Sequence, residues 1–469
     1  MLSLRRISKK VLLTLLALAL VATAVIGAYA WSWQGVESSS IEAKYEKDGF
    51  IFGVRYSQVG DPQNRGRSFA GNNILADKAE CGFWAPSAEE DFFNMKAFGV
   101  DAVAVNLFTL LEGVEFDEQG QITGLDAAFT ENLATMMDVA VKNDLKVAIT
   151  LQPALNELAT GTAGASKTVW DKHTQMYYNE AVRAQYIDLC IKPVLAVLKD
   201  YEASLLYIAI VSQPEKDIAE IQGVSGTTWD KMVAFVDDVN AVCREVLPKV
   251  ATTVETDAAY LSKFNKVQLS AAGQDLYTDA GEATDLVEAT SAFPLYLSRY
   301  GIKKGNSATE DFIVQKNQLL LSSAIEKGYL GAFFDEWNSQ MYTRTLFVDG
   351  GIRQWATTMF FAAQSYRNDR NENYDGNPVN MLYNLNDGKV RWIGSPLCET
   401  YTVERAAIGE EGETGEWIEI AAGLLQSDVD NGYFICTYTD DQREDGVKYR
   451  YRVITDKGTD FELISTPTN

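Results

Sequence analysis

The chain has 469 residues, 46% hydrophobic and 11% aromatic, enough for one large domain and a small one. Its formal charge of −24 excludes nucleic acid and an anionic membrane face as partners of its surface. One histidine, His173, and five cysteines without a CxxC pair exclude a multi-histidine site and leave no set for a thiolate zinc site, so no metal and no cofactor are expected.

The N-terminus stands apart. Arg5, Arg6, Lys9 and Lys10 precede an uncharged apolar run from Val11 to Trp31, about 30 Å long as a helix, roughly the thickness of a bilayer core. Ala28-Tyr29-Ala30 resembles a signal-peptidase site. Residues 1–33 are read as a signal peptide or an N-terminal membrane anchor. Either places the remainder extracellularly or at the cell surface, secreted or membrane-anchored, with contact to the membrane through this segment only. Residues 34–49 read as a polar linker.

From Phe50 strands and helices alternate. "FIFGVRYS" predicts a strand, and "SAEEDFFNMKAFG" a helix with Ser87 and Glu90 in capping-box spacing and Gly99 as its stop. "VDAVAVNLF" is a strand, and "ENLATMMDVAVKN" a helix with Leu133, Met136, Met137, Ala140 and Val141 on one face. "LKVAITLQP" is a strand, followed by a long helix from Asn179 with a kink at Pro193. "SLLYIAIVSQP" is a strand and "WDKMVAFVDDVNAVCREVL" a helix, with Cys190 and Cys243 as core residues. "KVATTVE", "KVQLSAAGQDLY" and "FPLYLSRYG" are strands, with no well-defined helix between Glu255 and Phe293. "ATEDFIVQKNQLLLSSAIEKG" is a helix, "YLGAFFDEWN" a strand and "GGIRQWATTMFFAAQSYR" a last helix.

Eight apolar strands separated by helices predict a parallel sheet closed as a (β/α)8 TIM barrel over residues 50–370. The long links all follow strands: Ser57–Pro86, Pro153–Asn179, Gln213–Thr228 and Asn338–Gly350. In a barrel such links share the C-terminal face, where ligands bind. Residues 376–469 change to short alternating strands, a small all-β sandwich. Its "YTVERA", "EWIEIA" and "GVKYRYRV", with Trp392 as core tryptophan and Tyr449 and Tyr451 on the penultimate strand, resemble a fibronectin type III domain. Such modules serve as spacers or contact a protein partner.

"GVRY", "EEDFFNMKAFGVDAVAV", "VSQPE", "FPLYLSRYG" and "GYLGAFFDEWN", in that order, resemble the clan of retaining glycoside hydrolases that includes family 5 endoglucanases and mannanases. The resemblance implies a glycan ligand, an oligosaccharide or polysaccharide. It also implies an acid/base glutamate ending strand four and a nucleophile glutamate ending strand seven. Here Gln213 and Arg299 stand in those places. An amide has no acidic proton to give, and losing general acid catalysis typically costs 10²–10⁴-fold. A guanidinium offers no nucleophile and opposes the cationic transition state.

Arg55, Asn106, Gln152, Tyr277 and Trp337 are taken as the substrate-binding residues; Asn106 stands near the place of the arginine that the clan has at strand two, and Gln152 ends strand three without the usual histidine. Arg299 is expected either to neutralise Asp335 or Glu336, or to grip an anionic sugar. One function reading is therefore a catalytically impaired, glycan-binding glycoside hydrolase-like protein. A second is an active glycosidase using relocated carboxylates among Glu215, Glu255, Asp275, Asp335 and Glu336. A third is a cell-surface scaffold. Trp170, His173, Tyr177 and Tyr178 form either a stacking platform or a self-packed loop.

Overall fold

A computed structural model describes residues 39–56, 85–97, 99–108, 111, 113–153, 175–221, 228–279, 286, 293–303, 310–335, 347–348, 351–352, 380–384, 388–393, 400–409, 413–429, 435–444, 446–456 and 460–464. In chain order the first elements are α1 (Ser40–Asp48), β1 (Ile51–Tyr56), α2 (Ala85–Ala97), β2 (Ala102–Asn106), β3 (Val114–Phe116), β4 (Ile122–Leu125), α3 (Ala127–Lys142) and β5 (Lys146–Pro153). There follow α4 (Glu180–Tyr186), α5 (Lys192–Lys199), β6 (Leu205–Ser212), α6 (Pro214–Ile221), α7 (Trp229–Val246), β7 (Ala251–Thr256), β8 (Ala272–Asp279), β9 (Leu295–Lys303), α8 (Glu310–Glu326) and β10 (Gly331–Phe334).

Eight of these strands close a parallel barrel in the order β1-β10-β9-β8-β7-β6-β5-β2. They are the eight strands that the apolar runs predict. Strands β1, β2, β6, β7 and β10 are buried along their whole length, because helices cover one face and the barrel interior the other.

The helices follow their local signals. Gly99 takes the left-handed conformation, φ 77°, that ends α2. Asp126 caps α3 by accepting the Ala128 N–H. Pro193 is preceded by a π turn, Ile187–Ile191, that joins α4 to α5 where a proline cannot continue the normal ladder. Cys190 and Cys243 are fully buried, and burial pushes both thiols up to about 12.

Several local expectations need correction. Helix α2 begins at Ala85, so Ser87 lies inside it rather than at its cap. Val141 is half-exposed; the buried face of α3 takes Val139 instead, one step around the helix. A hairpin of β3 and β4, without an apolar run long enough to read, interrupts the β2–α3 link. The Gln213–Thr228 link contains α6. Between β7 and β8 the chain makes only a 3₁₀ helix, Ala258–Phe264, which explains the missing helical signal there. Residues 347–348 and 351–352 pair as β11 and β12, so the expected last helix does not begin at Gly350; from residue 353 it lies outside the described residues.

The supposed linker is the largest correction. Residues 40–48 form α1, with a capping box between Ser39 and Glu42. It seals the barrel's N-terminal end. The Ser40 N–H donates to Lys249 O (3.2 Å), and the Ala251 N–H donates to Ser40 Oγ (3.0 Å). Ile41 is buried among Ile51, Ala102, Ala104, Leu206 and Ala251. A polar stretch conceals one plug residue, and nothing in its periodicity announces it.

Above that plug lies an aromatic layer. The rings of Tyr207, Tyr296 and Phe333 stand 4.7 to 6.1 Å apart. Space for them comes from Ala102, Ala104, Ala148, Ala209 and two glycines. A Cβ on Gly53 would lie 2.3 Å from the Phe333 ring, and one on Gly273 2.8 Å from the Tyr296 ring.

The C-terminal strands are β13 (Asn380–Asn384), β14 (Lys389–Ile393), β15 (Thr400–Ile408), β16 (Ile418–Leu425), β17 (Ile435–Thr439), β18 (Lys448–Thr455) and β19 (Asp460–Ile464). They make two antiparallel sheets, β13-β14-β17 and β16-β15-β18-β19. Both contribute to one core around the fully buried Trp392, with Tyr401, Cys436, Tyr449 and Tyr451. This is sandwich packing, as the alternation predicts. Among the described residues no helix is long and apolar enough to cross a membrane.

Candidate functional site

The C-terminal ends of the strands carry a stack of charged and polar side chains above the aromatic layer. Its lower tier centres on Glu255, the fifth residue of β7, which is completely buried. Its carboxylate accepts from Arg55 Nη1 at 3.2 Å, Tyr207 OH at 3.2 Å and Thr150 Oγ1 at 3.4 Å. Arg55 also donates to Asn106 Oδ1 at 2.5 Å and to Ser298 O at 3.1 Å. Burial alone would lower the Arg55 pKa; the Glu255 charge, helped by Tyr207 and Asp335, outweighs it and holds the group above its usual value. Gln152 donates to Phe108 O and accepts from Tyr186 OH at 2.8 Å. Arg55, Asn106 and Gln152 are therefore brought to one end of the barrel, buried and bonded.

The upper tier contains Gln213 and Arg299, the residues that the sequence resemblance sets at the expected catalytic positions. Gln213 immediately follows β6 and has φ 56°, a left-handed conformation that is rare for a side-chain-bearing residue and disfavoured before Pro214. Its backbone is held by its N–H on Glu255 O (2.7 Å) and by the Lys216 N–H on its own carbonyl (3.0 Å). Its side-chain amide is oriented by two partners. Nε2 donates to Asp275 Oδ2 at 2.6 Å, and Oε1 accepts from Lys216 Nζ at 2.5 Å.

Arg299 meets the same carboxylate. Its Nε donates to Asp275 Oδ2 at 3.1 Å and its Nη2 to Asp275 Oδ1 at 3.4 Å. Asp335, just beyond β10, lies 3.9 Å from Nη1. A bulge makes this possible. Against β8, Leu297 and Arg299 pair with the adjacent Gln274 and Asp275; against β10, Leu297 and Tyr300 pair with Ala332 and Phe334. The extra residue in β9 changes the alternation and sets Arg299 opposite Asp275.

The Arg299 partner expected from sequence was Asp335 or Glu336. Among the described residues Asp275 makes the hydrogen bonds and Asp335 lies 3.9 Å away; Glu336 lies outside the described residues. Spacing along the chain could not reveal this, because the pairing is between neighbouring strands and depends on the bulge.

Glu215, in the first turn of α6, accepts from Thr256 Oγ1 at 2.7 Å and from the Asp257 N–H at 3.3 Å. Burial raises its pKa above the usual value and the negative charge of Asp275 adds to this, while the hydrogen bonds oppose it. Asp275, Lys216 and Thr256 are the residues that motif reading undervalued. Tyr277 lies on β8 opposite Gly301. Glu336, Trp337, Trp170 and His173 lie outside the described residues. Tyr177 is buried and donates to Asp217, and so belongs to the core rather than to an open stacking platform.

With this geometry in view, the comparisons bear on the fold. No family model and no curated protein matches the sequence. Solved structures do. An exo-beta-1,4-mannosidase from Opitutaceae bacterium strain TAV5 aligns with TM-score 0.52 at 13% identity, over 68% of this chain and 60% of that one. An endo-1,4-beta-mannanase from Eisenia fetida aligns with TM-score 0.49 at 17% identity, over 68% and 92%. The endo-beta-1,4-mannanase from Thermotoga petrophila aligns with TM-score 0.48 at 12% identity, over 89% and 97%. The closed eight-stranded barrel and the alignment with the mannosidase show a shared barrel fold. At these identities the likeness extends to the fold alone, and the chemistry must come from this chain's own residues.

Among those residues Gln213 and Arg299 are joined. One carboxylate oxygen, Asp275 Oδ2, accepts from both Gln213 and Arg299. Lys216, Gln213, Asp275, Arg299 and Asp335 form a continuous collar, with hydrogen bonds from Lys216 to Arg299 and an ion pair from Arg299 to Asp335.

Proposed function

We propose that this chain is an exported, membrane-tethered, glycoside hydrolase-like protein that binds a glycan at the barrel mouth and does not hydrolyse it by the retaining route. The observation that carries the proposal is the Asp275 bridge between Gln213 and Arg299. A retaining site needs two carboxyl groups about 5 Å apart, one protonating the leaving oxygen and one attacking the sugar. Here the first place holds an amide and the second a guanidinium, each engaged by the same aspartate. The guanidinium's use on Asp275 also removes the motive for a uronate ligand and favours neutral sugars. Tyr277 and Trp337 are the proposed stacking residues. The C-terminal sandwich is proposed to be a fibronectin type III-like spacer or protein contact.

Isothermal titration calorimetry of the purified chain with β-mannan and β-glucan oligosaccharides, beside a reducing-end hydrolysis assay, tests this. Binding without turnover is expected. Turnover overturns the impaired reading, and absence of binding to any glycan overturns the sugar assignment in favour of a cell-surface scaffold.

A second reading rests on Glu215. Burial makes its carboxyl a better proton carrier than a free glutamate, and it lies two residues from the acid/base place. If wild-type protein hydrolyses glycosides and Glu215→Gln stops it, the relocated-carboxylate reading is the correct one.

A further inference from the structure

We propose that the barrel is presented with its sealed N-terminal end toward the membrane and its mouth facing outward. This rests on the tether reading of the N-terminal apolar run. It adds to that reading a direction, which comes from α1.

The first residue of α1 is fastened to the bottom rim. Ser40 hydroxyl donates to Leu206 O at the start of β6, and its Oγ accepts from the Ala251 N–H at the start of β7. Lys44 adds a contact to Asp101 at the foot of β2, 3.7 Å. Ile41 plugs the interior at 1% exposure. The chain therefore reaches the barrel at the end opposite Gln213 and Arg299.

Distances then decide the orientation. Eight residues, 32–39, separate Trp31 from Ser40. Fully extended they span at most about 29 Å. Strand β6 has 8 residues, and at a rise of about 3.3 Å and a tilt of about 36° it makes the barrel about 21 Å tall. To turn the mouth to the bilayer, the tether would have to pass outward under the surrounding helix layer, about 10 Å, and then climb the barrel height, about 31 Å in all, which exceeds its reach. The outward positions of α1, Ala43, Glu46, Lys47 and Asp48, are exposed and mostly charged, so α1 stands in water as a collar and does not continue an apolar span.

The consequence concerns the ligand. A mouth directed away from the bilayer meets polymer arriving from outside, such as a wall or extracellular polysaccharide, and not the headgroup of a membrane glycolipid.

Energy transfer tests the orientation on the full chain. Cys81 and Cys398 are replaced by serine; Cys190, Cys243 and Cys436 are buried and stay unlabelled. A maleimide donor is placed at Glu46→Cys on α1 or at Ala259→Cys just beyond β7, both exposed positions. The protein is inserted in phosphatidylcholine vesicles carrying a headgroup-linked acceptor. Transfer at residue 46 is expected to exceed that at residue 259 at least twofold. Equal or reversed transfer, with the protein floating with vesicles, overturns the orientation and leaves the tether standing. A full chain that does not float with vesicles overturns the tether and the orientation together.

Discussion

Replacing Arg299 by glutamine is the most direct probe of the collar. Asp275 and Asp335 have side chains only 9% and 6% exposed, and Arg299 reaches both, at 3.1 and 3.9 Å. Its removal leaves two buried carboxylates facing each other across its former place. Breaking a buried pair on one side costs about 3–5 kcal/mol. Coulomb's law agrees, since one contact near 4 Å at an effective dielectric of 20 is worth about 4 kcal/mol. Asp275→Asn removes one of the two charges, so the double variant should recover at least about 2 kcal/mol, within the range for directly coupled residues. Urea unfolding at pH 7 for wild type, both single variants and the double variant gives the cycle. A loss below about 1 kcal/mol for Arg299→Gln, or strict additivity, would refute the account of Arg299 as the charge that holds the collar. The same arithmetic governs any attempt to restore hydrolysis. Gln213→Glu with Arg299→Glu sets carboxylates at 213 and 299 beside Asp275, with Asp335 near 299, so folding and turnover should require Asp275→Asn as well. A double variant as stable as wild type contradicts this.

Other perturbations test the layers beneath and beside the collar. Ile41→Ala should cost about 2–5 kcal/mol in urea unfolding, because the side chain is 1% exposed inside the barrel end; a free linker would give a change near zero. Gly53→Ala sets a methyl 2.3 Å from the Phe333 ring and should cost about 1–3 kcal/mol, with near-ultraviolet circular dichroism reporting the disturbed ring layer. Glu215 has a folded pKa raised above its usual 4.5, so its stabilising contribution is complete below that pH and is lost as pH rises through the folded value. Glu215→Gln stays neutral throughout, so its stability relative to wild type should increase from pH 4 to pH 7. A pH-independent difference in urea midpoint would remove Glu215 as a buried proton carrier.

The sequence by itself determined the architecture. Eight apolar runs at helix-separated intervals leave little alternative to a closed parallel barrel, because a strand apolar on both faces must be covered on both. The seven C-terminal strands followed from period-two alternation in the same way. The place of Gln213 directly after its strand was legible from a short motif, whereas Arg299, expected at a strand end, lies within β9, which runs on to Lys303. What the sequence could not carry was partnership across strands. Asp275 precedes Arg299 by 24 residues and follows Gln213 by 62, and only barrel closure with the bulge in β9 brings the three to one carboxylate. Likewise α1 reads as a polar linker because only Ile41 is fully buried in it, with Tyr45 packed partly against the same cluster. Its docking depends on a ring of strand starts that exists only once the barrel has formed. Local patterns encode which face of an element is apolar; the hydrogen-bond partners of buried charges are fixed by the register between elements, which lies in the tertiary structure alone.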